Sequence, residues 1–404
     1  MIDLRYRWVV LCIAVIVMMV ISIYQYSWSL FAYNLHSEFG WDLAKIGLVF
    51  SIFAYTATFI QPFSGMIADS FGPKKVAFLG SFFVGAGFVL SSLALSAWQL
   101  YFFYGFGGVG VGILYGVSTA SAIKWFPEKR GFAVGLIVFG FGAGTAFFNW
   151  IIQDLLESIG LRTTFFYLGL GMLAILVPLS VFYRYPPNRM LPSSDDDGKI
   201  SSERSDYRPL EMLQSYQWYL IYFCFTFTVS IVLMFGAQMK MLAKEFDIPN
   251  NYFSLLLILF PLGNGLSRVV AGVISDNIGR EKTMVFFYGL LGLSIICLVT
   301  FGHIPLLFVI FVFLSALLGG SPFALYPATI GDYYGAQYST TNYGITYTAK
   351  AWAGLISGWL SAYLVTQFGS YKLPLLIVAV GSLIAALLSL PRWMKAPVRD
   401  SNVN

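Results

Sequence analysis

Two positively charged residues stand in the middle of apolar stretches. Lys350 lies near the midpoint of the stretch 340–364, and Arg268 lies inside the stretch 252–275. A charged side chain at the centre of a bilayer costs about 2.5–3.5 kcal/mol on insertion scales, so such residues mark candidate functional sites. The sequence places no Asp or Glu at the same depth that could neutralise either cation. We interpret Arg268 and Lys350 as a binding site for an anion.

Each cation has a neighbour of suitable chemistry on its own helix face. Asn264 precedes Arg268 by four residues and Tyr347 precedes Lys350 by three, and both spacings put the pair on one side of a helix. Asn264 is predicted either to orient the guanidinium and contact the ligand or to form a hydrogen bond to another helix. Aromatic residues in such stretches can equally face lipid. Further candidates for lining the site are Gln25, Tyr26, Tyr115 and Phe323.

Other chemistries find no support in the sequence. The three cysteines lie far apart, and no Cys or His spacing is typical of a metal site. A glycine pattern at 105–110 formally matches a dinucleotide-binding loop, but it does not follow a β-strand. Gly108, Gly112 and Gly116 instead form a stripe of small residues for close helix packing. We predict no catalytic residue, no metal, no cofactor and no enzymatic activity.

The composition predicts the elements that position these residues. The chain has 404 residues, of which 58% are hydrophobic and only 11% charged, whereas soluble domains carry about 25% charged residues. Twelve apolar stretches are each long enough to cross the hydrocarbon core as a helix. They lie at 8–33, 43–67, 75–94, 98–123, 131–154, 163–184, 215–240, 252–275, 283–302, 304–328, 340–364 and 371–391. The predicted fold class is an all-α integral membrane protein with twelve transmembrane helices.

The distribution of positive charge predicts the orientation. Most of the 24 Lys and Arg residues lie in loops on the side of the N-terminus. Because loops rich in Lys and Arg stay in the cytoplasm, we predict a multi-pass protein of the cell membrane with both termini cytoplasmic. The net charge of +5 is explained by this orientation, and no nucleic-acid partner is predicted. The opposite loops hold only Lys45, Arg162, Lys240, Lys244 and Lys372.

The chain divides into two similar halves. A polar stretch with the composition of a solvated linker, 186–214, separates six apolar stretches from six. The segments 65–75 and 272–282 follow the second and the eighth stretch, and they share glycine, isoleucine, aspartate and lysine at a constant offset. Two six-helix halves of this kind are a known plan of membrane transporters. We predict pseudo-symmetric bundles at 1–185 and 215–404, with a cytoplasmic linker between them.

These two segments resemble the cytoplasmic signature of the major facilitator superfamily. The resemblance implies that the glycines allow a tight turn and close helix approach. It also implies that the aspartate caps a helix or pairs with an arginine across the cytoplasmic face. The alternative is that the aspartates are loop caps without a role in gating. The gating and cytoplasmic-motif residues that follow are Gly65, Asp69, Gly72, Arg130, Gly272, Asp276, Gly279 and Arg280.

Within that superfamily the chain resembles the oxalate/formate antiporter group, a relative of the monocarboxylate transporters, over nearly its whole length. The similar segments are 25–30, 115–116, 124–131, 323–329, 342–344 and 349–351, together with Arg268. The resemblance implies that Arg268 and Lys350 bind carboxylates. It also implies that the site is lined by Gln25, Tyr26, Tyr115 and Tyr347.

One motif departs from the group. Members similar to the oxalate carrier have Trp-Gly-Gly-Ser-Tyr in the tenth stretch. Here the residues are 318–323, so the tryptophan position becomes glycine and the tyrosine becomes phenylalanine. The lost bulk is expected to enlarge the pocket, which leaves room for lactate, pyruvate or a larger dicarboxylate.

These observations predict a secondary active transporter of small mono- or dicarboxylates, such as oxalate, formate, lactate or pyruvate, that works by alternating access. An empty site with two uncompensated charges should reorient slowly, which favours anion exchange. Proton-coupled monocarboxylate symport stays open, and so does a membrane sensor that binds without transporting. The predicted partners are carboxylate anions, the lipid bilayer and, for symport, protons. The protein is predicted to be a monomer.

Overall fold

The computed structural model describes residues 5–126, 130–186, 206–335 and 338–397. Within these ranges the chain is helical and contains no β-strand, so the prediction of an all-α fold is confirmed. Nine helical stretches of these residues are long and apolar enough to cross a membrane. Side chains are not described for Pro62, Gly65, Asp69, Arg130, Gly131 and Thr340.

The first half of the chain forms six spans. Its helices are α1 (Tyr6–Ile21), α2 (Ile23–Tyr26), α3 (Trp28–Phe39), α4 (Leu43–Phe71), α5 (Pro73–Ser92), α6 (Ala97–Trp125), α7 (Arg130–Ala143) and α8 (Thr145–Ser180). The first span consists of α1, α2 and α3, which are separated at Ser22 and Ser27. In α8 the backbone φ of Gly160 is 75°, and this non-helical residue divides the fifth span from the sixth. Inside this half, α6 packs against α4 and α5, and α5 packs against α8.

The second half also forms six spans. Its helices are α9 (Pro209–Leu213), α10 (Tyr216–Glu245), α11 (Asn250–Ile278), α12 (Arg280–Phe301), α13 (Pro305–Gly319), α14 (Pro322–Tyr334), α15 (Ser339–Tyr347), α16 (Ala349–Leu355), a π-helical segment (Ile356–Leu360), α17 (Ser361–Phe368) and α18 (Lys372–Leu388). The tenth span comprises α13 and α14, and Pro322 at the start of α14 suits a first helical position. The eleventh span runs from α15 to α17, and α18 is the twelfth.

The twelve spans agree with the predicted stretches, and most spans extend beyond them by a few residues at one or both ends. Most of the predicted linker, 187–205, lies outside the described residues. Its described part is not wholly unstructured, because it contains α9 and because the amide N–H of Tyr207 donates to the carbonyl of Tyr334 at 2.9 Å. The exact boundaries of the two bundles stay a prediction.

The halves meet along two seams, and α10 of the second half also packs against α2 and α3 of the first. In the first seam, α11 of the second half packs against α7 and α8 of the first. A Cβ atom built on Gly142 would lie 2.9 Å from the Cα of Gly265, so the two backbones touch where these helices cross. In the second seam, α4 packs against α16, α17 and the π-helical segment. We use the name far end for the end of the bundle where α4 and α11 begin. It lies opposite the end where α1 begins and α18 ends.

Hydrogen bonds join the halves at the second seam. The Ser51 hydroxyl of α4 donates to the carbonyl of Gly354 at 3.0 Å and accepts from the amide N–H of Trp359 at 3.0 Å. The π-helical turn disrupts the regular α-helical bonding pattern. The side-chain amide of Gln238 in α10 donates to the carbonyls of Ser357 (2.7 Å) and Gly358 (3.0 Å). Side chains from two neighbouring helices therefore satisfy the irregular backbone of the eleventh span.

The predicted glycine stripe on α6 faces α4. A Cβ atom on Gly108 would meet Thr56, and one on Gly116 would meet Ser64, both within the first half. The prediction of close helix packing is confirmed. The stripe packs inside one half rather than along a seam.

Candidate functional site

Arg268 lies between the two halves of the molecule. The residue belongs to α11, and only 5% of its surface is exposed. One face of the guanidinium lies against Phe323 of its own half, with Cζ 4.9 Å from the ring centroid. Across the first seam, a Cβ atom on Gly142 would lie 3.2 Å from the same Cζ. The Nε and Nη1 atoms are buried and have no hydrogen-bond partner.

Lys350 also lies at the contact between the halves. It lies in the first turn of α16, two residues after the break at Thr348, and it is 4% exposed. Its Nζ donates to the hydroxyl of Tyr347 at 3.4 Å and lies 5.5 Å from the ring centroid of Phe141 in α7. Lys350 Nζ lies 5.5 Å from the ring centroid of Tyr347, which is 6.2 Å from that of Phe323, the ring against which Arg268 lies. The structure thus brings the two predicted cations into one site.

A cluster of aromatic rings encloses the cations. The centroid of Tyr347 lies 6.2 Å from that of Tyr115 and 6.2 Å from that of Phe323. The ring of Phe141 lies 5.3 Å from that of Tyr115 and 5.7 Å from that of Tyr26. Four of these five residues were candidates from the sequence, and they come from both halves. The walls of the site are therefore apolar rings with hydroxyl groups at their edges.

Uncharged polar groups lie beside Arg268. Gln25, Tyr26 and Asn264 are buried, and the Gln25 Nε2, Tyr26 Oη and Asn264 Oδ1 atoms have no hydrogen-bond partner. The Asn264 amide donates to the carbonyl of Gly142 at 3.5 Å, which is the interhelical bond that the sequence left open. Tyr26 lies within electrostatic range of Arg268. The site therefore offers several unsatisfied polar atoms around the guanidinium.

Within the described ranges, no acidic side chain pairs with the cations of the site. The ion pairs found within the described ranges lie at Arg280, and none of them involves Arg268 or Lys350. The same residues contain no group of three or more His, Cys, Asp or Glu side chains that could hold a metal ion. A guanidinium can bind a carboxylate through two parallel hydrogen bonds, whereas an ammonium acts as a compact charge. Such a pair is suited to an anion with one or two carboxylates.

The sequence predicted that glycine at the tryptophan position of the tenth span enlarges the pocket. For Gly319 this prediction is wrong. A Cβ atom on Gly319, four residues before Phe323, would lie 2.8 Å from the side chain of Ile231 and 3.0 Å from that of Val232. Gly319 thus faces α10, and these two side chains occupy the space that a larger residue would need. Only Phe323 of this motif faces the cations.

The repeated glycines of the cytoplasmic motif form turns. Gly72 and Gly279 have φ angles of 86° and 95°, which side-chain-bearing residues rarely adopt. Gly272 is different, because a Cβ atom built there meets no described atom within 4 Å, so close helix approach does not require this glycine. The side chains of Asp69 and Arg130 and the surroundings of Gly65 lie outside the described part of the structure.

Arg280 is the charged centre of the described motif. Its guanidinium pairs with Asp276 at 2.5 Å and with Asp332 at 3.2 Å, and it contacts the hydroxyl of Ser275. These pairs join the end of α11 to α14 within the second half. A gating role for this motif stays a prediction.

Sequence reasoning missed one residue of the site and two polar residues at the seams. Phe141 contacts Lys350, and it stands between two glycines in the fifth span, where a single large ring is a recognisable signal. Asn149 is fully buried, and an amide in an apolar stretch should have drawn attention as a polar contact. Ser51 gave no signal, because small hydroxyl residues are common in membrane helices, where they also bond to their own backbone.

Comparison with known proteins identifies the family of the chain. The family model of the Major Facilitator Superfamily matches residues 10–240 and 219–403. The chain is 32% identical to an oxalate:formate antiporter of Oxalobacter formigenes over 401 residues, which is 97% of this chain and 93% of the relative. It is 27% identical to a probable sulfoacetate transporter of Cupriavidus necator, covering 88% of this chain and 86% of the relative.

A more distant relative points the same way. The chain is 22% identical to monocarboxylate transporter 12 of Rattus norvegicus over 390 residues, covering 89% of this chain and 80% of the relative. The predicted resemblance is confirmed by the family model and by the antiporter match. The chain is a multi-pass membrane transporter of the major facilitator superfamily, in the group of the oxalate:formate antiporter.

Proposed function

We propose that the protein exchanges small organic carboxylates across the membrane by alternating access, with Arg268 and Lys350 as the residues that bind the carboxylate groups. The observation that carries the proposal concerns Arg268: among the described residues, two of its buried nitrogens have no hydrogen-bond partner and no ion pair compensates its charge. A buried charge without a partner is strongly unfavourable, so an anionic ligand is the expected complement. The named activities of the antiporter and of monocarboxylate transporter 12 support this class of ligand.

The neighbouring groups fit the same class. The Gln25 amide can donate to a second carboxylate or to a hydroxyl of the substrate, because its Nε2 atom has no other partner. The rings of Tyr115, Phe323 and Tyr347 exclude water, which strengthens the attraction between the substrate and the cations.

Exchange rather than uniport follows from the charge. The occupied site pairs its cations with a carboxylate, whereas the empty site would carry two uncompensated charges through a closed, dry intermediate. Loaded carriers should therefore reorient faster than empty ones. In this view the two faces of the membrane are coupled, because an anion must return for each anion that leaves.

The test is uptake into proteoliposomes that contain the purified protein. Labelled oxalate, formate, lactate and pyruvate are offered to vesicles loaded with the same anion at equal pH, and to vesicles without internal anion but with a pH gradient. We expect uptake in the first arm only. Uptake driven by the pH gradient alone would replace exchange by proton-coupled symport.

Two controls define the ligand class. Lactamide, which has the shape of lactate without the charge, should not compete with labelled lactate in any arm. The variants Arg268→Gln and Lys350→Gln should bind no carboxylate while remaining monodisperse. If the intact protein took up none of the four anions, the carboxylate class would be abandoned.

A further inference from the structure

A proline lies inside the helix that carries Arg268. Pro261 lies inside α11, seven residues before Arg268. Proline has no amide N–H, so the carbonyl four residues earlier, that of Leu257, receives no helical hydrogen bond from it. A backbone carbonyl buried without a donor is costly in an apolar environment. Another group must therefore supply a hydrogen bond at Leu257.

A side chain from the other half supplies it. The amide Nδ2 of Asn149, in α8, donates to the carbonyl of Leu257 at 3.3 Å. Asn149 is 0% exposed, so water does not compete for this bond. The contact crosses the first seam, about three helical turns from Arg268 towards the far end.

The carbonyl oxygen of the same Asn149 side chain accepts a hydrogen bond at the break between α2 and α3. The hydroxyl of Ser27 donates to the Oδ1 of Asn149 at 2.6 Å. Ser27 separates α2 from α3 and directly follows Gln25 and Tyr26, two candidates for lining the site. One asparagine thus connects Ser27, where the first span breaks, to the Leu257 carbonyl, which Pro261 leaves without a helical donor.

We propose that Asn149 is a positioning residue for the anion site, because it replaces the N–H that Pro261 lacks and so holds the proline-containing helix of Arg268 against the break that follows Tyr26 in the first span. The bridge exists only while the far end of the first seam is closed. When the halves part there, the Leu257 carbonyl faces the opened aqueous space, and water replaces Asn149. The bond therefore favours the closed far end without preventing its opening.

This inference rests on the proposed function for its transport readout, and its test includes a measurement that needs no substrate. The variants are Asn149→Leu, Pro261→Ala and the double variant. Alanine at 261 restores a helical donor for the Leu257 carbonyl, so it should remove the need for Asn149. We expect Asn149→Leu to raise the KM for anion exchange about tenfold in the wild-type chain and by much less in the Pro261→Ala chain.

Hydrogen–deuterium exchange provides the independent readout. In detergent and without anion, Asn149→Leu should increase deuterium uptake in residues 250–260, and the increase should shrink in the Pro261→Ala background. Asn34→Leu is the matched control, because Asn34 Nδ2 also donates to a leucine carbonyl, that of Leu30 at 2.8 Å, but within a single helix. This control should change neither KM nor uptake in 250–260.

The outcomes are separable. Equal effects of Asn149→Leu in both backgrounds, or no effect in the wild-type chain, would overturn the role of Asn149. If the wild-type protein exchanged no carboxylate, the proposed function would fail, and hydrogen–deuterium exchange would still decide the role of Asn149. If Asn149→Leu were not monodisperse, Ser27→Ala should produce a smaller change in the same direction, and the absence of that change would count against the proposal.

Discussion

At the scale of the residue, Arg268 has surroundings that suit its planar shape. Its guanidinium lies between the ring of Phe323 and the backbone of Gly142, and the two come from different halves. A planar group suits this slot, because it can stack on a ring while its edge stays free to donate. Lys350 instead donates one hydrogen bond, to Tyr347, and lies near the rings of Tyr347 and Phe141.

This difference predicts unequal tolerance of substitution. Arg268→Lys keeps the charge but loses the planar fork and the stacking, so carboxylate affinity should fall at least about tenfold. Equilibrium binding of a labelled carboxylate to the purified protein measures the change. Arg392→Lys, an exposed arginine near the end of the chain, is the matched control and should bind as the wild type does. Unchanged affinity in Arg268→Lys would show that only the charge matters.

At the scale of the element, the site is built where helices are interrupted. The first span breaks at Ser22 and Ser27, the eighth contains Pro261, and the eleventh breaks at Thr348 before its π-helical segment. Non-helical backbone at membrane depth is tolerated where other groups of the protein satisfy it. Here the satisfying groups often come from the opposite half.

The second seam makes a prediction at this scale. A Cβ atom on Gly47 would collide with the carbonyl of Gly358 and would lie 2.9 Å from the Cβ of Ala362. Gly47→Val should therefore hold the far end open, abolish exchange and leave the protein monodisperse. Hydrogen–deuterium exchange should show increased uptake in residues 43–54 and 356–368.

The control for this variant is another glycine in a membrane helix. No described atom lies within 4 Å of a Cβ built on Gly171, so Gly171→Val adds the same side chain to open space. It should transport normally and show wild-type uptake in both segments. Normal exchange in Gly47→Val would show that the seam can yield by more than the structure suggests.

The sequence predicted the elements better than their rotations. Spans and intramembrane cations follow from composition and depth, so Arg268 and Lys350 could be identified without coordinates. Which side of a helix meets its neighbour could not, because lipid and protein interior are both apolar. Gly319 is the example: its sequence context suggested the pocket, whereas it packs against α10. The π-helical turn at Ile356–Leu360 has no signal in the residues themselves.

At the scale of the whole molecule, both halves contribute residues to the candidate site, and they touch along the two seams and where α10 packs against the first span. Phe141, Tyr26 and Tyr115 come from the first half, whereas Arg268 and Lys350 come from the second. A ligand that contacts both sets couples binding to the relative position of the halves. Orientation in the membrane and the monomeric state stay predictions.

Orientation can be tested with reporter fusions in a bacterial host. With both termini cytoplasmic, alkaline phosphatase fused after the last residue, Asn404, should be inactive. The same enzyme fused after Asp247, beyond the seventh span, should be active, because it would lie outside the cytoplasm. A fluorescent protein at the same two positions should give the opposite pattern. Phosphatase activity at Asn404 would reverse the assigned orientation.

The glycines of the seams also restrict how this protein can evolve. Gly47, Gly142, Gly265 and Gly358 leave less room than one methyl group requires. Glycine is the smallest residue, so every missense change at these positions adds atoms and none removes them. Random variation there can wedge the halves apart but cannot draw them closer. The distance between the halves at these glycines therefore cannot be shortened by substitution, and every amino-acid change there can only increase it.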